Sequence, residues 1–159
     1  MTRLRGRARQ GRRVLDHAPH GHWGTTTLLG ALRIDGTNAC MSIEGATDRD
    51  VFEAYVRRVL LAKLHPGDIV VLDNLAAHED GRVRQLIAGA RARLVFLPPY
   101  SPDLNPIEKM WSKIKTSLRA AKARTSATLQ TAISEALATV TAQDAKGWFT
   151  SCGYTASHS

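Results

Sequence analysis

The spacing of apolar positions changes several times along the chain, and each change marks an element. TTTLLGALRI and TNACMSI are rich in β-branched and apolar residues, and the Asp35-Gly36 pair between them favours the positive φ of a tight turn, so the stretch predicts a hairpin. From Asp48 the apolar residues Val51, Phe52, Tyr55, Val56, Val59 and Leu60 recur at helical spacing. Thr47 or Asp48 is placed to cap that helix and Pro66-Gly67 to stop it. Ile69 to Leu72 is a continuous apolar run of the kind buried on both faces of a sheet. A helix from about Asp80 to Ala90 and a second short buried strand in ARLVFL follow. A long helix opens near Pro106, with Met110, Trp111, Ile114 and Leu118 on its core face, and the last helices carry Leu129, Ile133, Leu137 and Val140 at helical spacing. Strands alternating with helices argue an α/β domain in which helices pack against a sheet with parallel members.

Residues 1–24, rich in Arg, Gly and His and without an apolar period, read as a basic arm or loop, and residues 25–159 as one folded domain. The net charge of +8 is concentrated in two stretches without an acid: TRLRGRARQGRR, with six arginines, and KMWSKIKTSLRAAKAR, with six more bases. Single-sign stripes attract polyanions through counterion release, which makes nucleic acid the first partner to consider; a solvated helix face plus a basic tail is the plainer alternative. No apolar run reaches the length of a membrane span, and no apolar signal region follows the arginines. With only Cys40 and Cys152, far apart in sequence, a cytoplasmic protein with reduced thiols is expected. GHWGTTT lacks the lysine of a phosphate-binding loop, and nothing else suggests a small-molecule substrate.

Two carboxylates draw the chemistry together. Asp73 follows the buried run Ile69 to Leu72, at the carboxyl end of its strand, where open α/β sheets place their ligand crevice; alone, Asp73-Asn74 reads more readily as the start of a turn. Glu108 lies in LPPYSPDLNPIEKMW, three residues after Asn105, with Pro106 suited to the first helical position, so by itself it completes a capping box. Taken together, two neighbouring parallel strands would deliver Asp73 and Glu108 to one sheet edge. Paired carboxylates held there suit hard divalent cations such as Mg2+, with oxygen ligands and sites left for water and phosphate.

VVLDNLAAH, thirty-four residues between Asp73 and Glu108, and then LPPYSPDLNPIEKMWSKIK resemble the catalytic core of mariner-related bacterial insertion-sequence transposases, the insertion-sequence 630 family. The resemblance implies a ribonuclease H-like fold of the integrase and transposase type, a mixed sheet flanked by helices. It implies a DDE-type endonuclease in which three acidic residues bind two Mg2+ (or Mn2+) ions and cut and join DNA strands. Asp73 matches the second acidic residue and Glu108 the third, both as catalytic metal ligands. The same pattern implies that Asn74, His78 and Asn105 stand near the site, although His78 reads equally as a helix-start histidine. Lys109, Lys113, Lys115 and Arg119, on the helix after Glu108, are the expected DNA contacts. The implied partners are transposon ends and target DNA, with a homo-oligomer acting at the nucleoid.

In that family the first acidic residue ends a strand that precedes the Arg-rich segment, whereas this sequence begins inside that segment. The first strand and its carboxylate are therefore expected to be missing, and Asp16, Asp35, Glu44 and Asp48 are poor substitutes. A chain with two of three ligands is expected to be catalytically weak. Two alternatives follow: a non-catalytic DNA-binding transposase remnant, and a stand-alone metal-dependent nuclease of the same fold. His17, His20 and His22 invite a zinc site, but without a cysteine pair they read as polar loop residues.

Overall fold

The hairpin forms as its sequence predicts. In the computed structural model, which describes residues 9–11, 24–73 and 81–154, β1 (Thr26–Leu32) pairs antiparallel with β2 (Asn38–Glu44), and Gly30 lies opposite Cys40. Asp35 fixes the turn by accepting a hydrogen bond from Thr37 N at 2.8 Å, and Gly36 takes φ 89°. A Cβ at Gly36 would stand 2.7 Å from the backbone N of Ala142, so glycine is required for space as well as for φ.

Helix α1 (Arg49–Tyr55) starts at Asp48, whose carboxylate accepts from Val51 N at 2.9 Å. It widens into a π-type turn over Val56–Leu60 and ends in a 3-10 turn over Leu61–Lys63. β3 (Ile69–Leu72) follows, then α2 (Gly81–Gly89), then β4 (Arg93–Phe96), which pairs with β3 in parallel, Val71 opposite Val95. A 3-10 turn, Pro102–Leu104, leads into α3 (Pro106–Ala121), and α4 (Ser126–Ala138) and α5 (Ala142–Ser151) pack back on α3. α4 and α5 each open with a reciprocal capping box, Thr125 with Thr128 and Thr141 with Asp144.

The hairpin separates two cores. Its Leu29, Ala31 and Met41 face Phe52, Val56, Leu60, Val83 and Ile87 of α1, its π turn and α2. Its Leu28, Leu32 and Cys40 face Met110, Ile114 and Ala136 of the C-terminal helices. The predicted core face of α3 is confirmed: Met110 and Ile114 are fully buried, and Trp111 and Leu118 pack beside them. Burial of each large apolar side chain contributes about 1.5–3 kcal/mol.

Two expectations need correction. β3 and β4 are not buried on both faces: Val70, Leu72 and Leu94 pack inward, but Ile69 is 55% exposed and Val71 and Val95 are open beside it. The C-terminal helices cover the hairpin and not this pair. The mixed sheet is also divided, since among the described residues the antiparallel pair and the parallel pair form separate two-stranded sheets. They are tied end to end by a two-pronged ion pair from Arg33, just past β1, to Asp68, just before β3, and Arg33 also donates to Lys63 O at 3.3 Å. The bonded guanidinium holds the Asp68 carboxyl below the usual carboxylate range.

Candidate active site

Asp73 is the first residue after β3, and the parallel ladder runs on beside it, with Leu97 N donating to Leu72 O at 2.8 Å. From Leu97 the chain turns through its prolines directly into α3. Asp73, Asn105 and Glu108 thus line one open cavity of about 470 Å³, with Leu97, Pro98, Pro99, Tyr100, Ser101 and Pro102 as its wall. Both carboxylates thus stand on one cavity wall, Asp73 just past the carboxyl end of β3 and Glu108 in the first turn of the helix that follows β4.

Glu108 lines this cavity and does not cap its helix. Asn105 occupies the N-cap position and Pro106 the first turn, as predicted, but the Asn105 side chain makes no capping hydrogen bond. The expected box with Glu108 is absent; Glu108 N instead donates to the backbone O of Asn105 at 3.1 Å. The Glu108 side chain is exposed and makes no hydrogen bond or ion pair among the described residues. Asp73 is half-buried, and its Oδ1 is shielded from solvent. The wall adds the neutral oxygens of the Asn105 amide and of Ser101, whose Oγ donates to Pro99 O at 3.3 Å. This all-oxygen donor set fits a hard divalent cation, but no cluster of three or more His, Cys, Asp or Glu occurs among the described residues.

The four basic residues of α3 separate into two groups. Glu108, Ser112, Lys115 and Arg119 fall at helical spacings of four, seven and eleven residues, on one exposed stripe. Lys115 and Arg119 therefore continue the line that Glu108 begins, about 10 and 16 Å along the axis, and Lys109 is exposed beside it. Lys113 points elsewhere. Its ammonium donates to Thr139 O at 2.8 Å and to the Asp144 carboxylate at 2.6 Å, clamping the α4–α5 junction onto α3. That carboxyl, bonded to Lys113 and to Thr141, is held down at about 2. Asn74, His78 and the three histidines His17, His20 and His22 lie outside the described residues. Sequence reasoning missed Tyr100 and Ser101 as wall residues; the proline string was the only signal that their loop is fixed.

The profile of the DDE superfamily endonuclease family matches residues 1–130. The chain belongs to that family. This DDE superfamily chain is 30% identical over 104 residues to the Tcb1 transposase of Caenorhabditis briggsae and 31% identical over 102 residues to the Tc1 transposase of Caenorhabditis elegans. Those alignments take in 63% and 60% of the chain but only 38% and 34% of the worm proteins, so it spans little more than a third of either. Its fold matches the Mos1 strand transfer complex with a TM-score of 0.72 at 15% identity, covering 94% of this chain and 46% of that one. It matches the catalytic core domain of BIV integrase with a TM-score of 0.55 at 19% identity, over 74% of this chain and 76% of that one. The fold is thus the ribonuclease H-like fold of transposase and integrase cores. The DDE endonuclease and its transposase relatives bear out the family type expected from the sequence.

Proposed function

We propose that this chain is the catalytic domain of a DNA transposase of the insertion-sequence 630 group, whose substrate is a DNA phosphodiester and whose site carries divalent cations on Asp73 and Glu108. The observation that carries the proposal is the convergence of those two carboxylates in one cavity at the carboxyl ends of β3 and β4. The chemistry that such cations supply is activation of water or a 3′-hydroxyl and stabilisation of the leaving oxygen.

The chain's own residues do the rest. Asp73 and Glu108 present anionic oxygens from two rigid supports, a strand end and the first turn of a proline-led helix. Lys109, Lys115 and Arg119 hold the DNA backbone along α3 and compensate its charge beside the acidic site. Lys113 keeps the helices that carry this track together. The proposed partners are transposon ends, target DNA and a second copy of the chain, with action at the nucleoid. No helix among the described residues is long and apolar enough to cross a membrane.

A second reading, DNA binding without cutting, draws support from the missing third ligand among the described residues. Supercoiled-plasmid nicking with 5 mM-scale Mg2+ or Mn2+, read beside DNA binding at several salt concentrations, separates the two. Metal-dependent nicking abolished by Asp73→Asn supports the endonuclease; salt-sensitive binding without nicking, unchanged in Asp73→Asn, supports the binding remnant. A chain that neither cuts nor binds DNA refutes both.

A further inference from the structure

We propose that Tyr100 is a stacking platform for an unpaired nucleobase at the edge of the carboxylate cavity, so that the site takes DNA locally opened to single strand. The inference rests on the DNA reading above and deepens it.

Tyr100 lines the same cavity as Asp73 and Glu108. It is 102% exposed, more open than any other large hydrophobic or aromatic side chain among the described residues. Its backbone is left-handed, φ 56°, a conformation that an L-residue with a bulky side chain seldom adopts. Burial of its ring therefore does not explain that backbone. The surrounding loop does, because it is held from several directions. Pro98, Pro99 and Pro102 each fix their own φ, Leu104 N donates to Ser101 O at 3.2 Å, and Tyr154 Oη donates to Leu104 O at 2.9 Å from the C-terminal end. Tyr154 is itself packed edge-on against Phe149 of α5. A rigid loop so anchored to the second core presents one aromatic ring to solvent.

An aromatic ring held in place before binding loses little conformational freedom on contact, and every base has a face to stack on it without regard to sequence. The exposed Lys109, Lys115 and Arg119 supply the cationic track that brings a phosphodiester chain to this ring. A base in an intact duplex has no free face to offer, whereas a frayed end, a flipped base or a single-stranded overhang does.

The test uses the full chain and DNA oligonucleotides without metal: a single-stranded 15-mer-scale probe with 2-aminopurine placed at successive positions, and a blunt duplex of the same sequence. Expected are quenching of 2-aminopurine by the wild-type chain, loss of that quenching in Tyr100→Ala with about 5- to 100-fold weaker single-strand binding, and retention of both in Tyr100→Phe. Blunt-duplex affinity should be the same for all three proteins. Tyr100→Ala that quenches and binds single strands like wild type overturns the stacking role while salt-sensitive duplex binding leaves the DNA reading standing. A wild-type chain that binds neither probe overturns both. Because the side chain is fully exposed, loss of folding is not expected, and an unchanged thermal midpoint in Tyr100→Ala verifies that its effect is on binding.

Discussion

Glu108 is a residue whose local sequence promises a helix cap and whose tertiary position puts it on a cavity wall instead. Since it caps nothing, Glu108→Gln should leave the thermal midpoint unchanged, yet weaken Mn2+ binding by about tenfold or more in a calorimetric titration, because affinity for hard cations follows the count of charged ligands. A fall in the midpoint of several degrees would show a structural role instead. The shared cavity with Asp73 was legible in the sequence, because an apolar run ending in an acid marks a strand end and the proline string leads from the next strand into the helix that carries the second acid. The uncapped state was not, since Asn105-Pro106-Ile107-Glu108 satisfies every local requirement of a capping box. Arg91 is a second residue that sequence does not flag. It ends α2 in a left-handed conformation, φ 57°, with Arg91 N donating to Ala88 O and Ala92 N to Ile87 O, a glycine-type helix stop built with arginine. Arg91→Gly should therefore raise stability by about 0.5–1 kcal/mol in urea unfolding, the relief of left-handed strain exceeding glycine's greater freedom in the unfolded chain.

At the scale of elements, the joints decide more than the elements themselves. Gly30 of β1 lies where an added Cβ would stand 2.7 Å from both Cys40 Sγ and the Trp111 ring, so Gly30→Ala should destabilise by about 1–3 kcal/mol through overpacking between hairpin and α3. The same burial pushes the Cys40 thiol up to about 11. The clamp of Lys113 on Asp144 has a signature in pH. The folded-state pKa of Asp144, about 2, lies below its ordinary 3.8, so its stabilisation is complete above the ordinary value and is lost as pH falls through the folded one. Thermal midpoints measured from pH 5 to pH 2 should accordingly fall less steeply in Asp144→Asn than in wild type; equal slopes would remove the clamp from the acid response. Helix periodicity made α1, α3 and α4 legible in advance. The open face of β3 and β4 was not, because a short apolar run looks the same whether one face or two are covered, and only the reach of the C-terminal helices decides it.

For the whole molecule, the basic charge that first suggested nucleic acid divides into structural and available parts. Lys115→Ala and Arg119→Ala should each reduce the salt dependence of DNA binding, the slope of log K against log salt, by about 0.9, as expected for one lost phosphate contact. Lys113→Ala should leave that slope alone and lower the thermal midpoint. Composition could announce the charge but not this division, which depends on Asp144 and Thr139 arriving from elsewhere in the chain. The separation of the strands into two pairs was likewise beyond reach, since pairing is decided between segments and periodicity is a property within one.

The hairpin stands between the two cores, with one face in each, and this has a kinetic consequence. Either helical layer can loosen while the other still covers one side of β1 and β2, so local openings leave the hairpin's cross-strand hydrogen bonds intact. Its amide protons should be the slowest in the chain to exchange with deuterated solvent, at a rate set by global unfolding, whereas those of β3 and β4, backed on one face only, should exchange through smaller fluctuations and mark the first part of the domain to come apart.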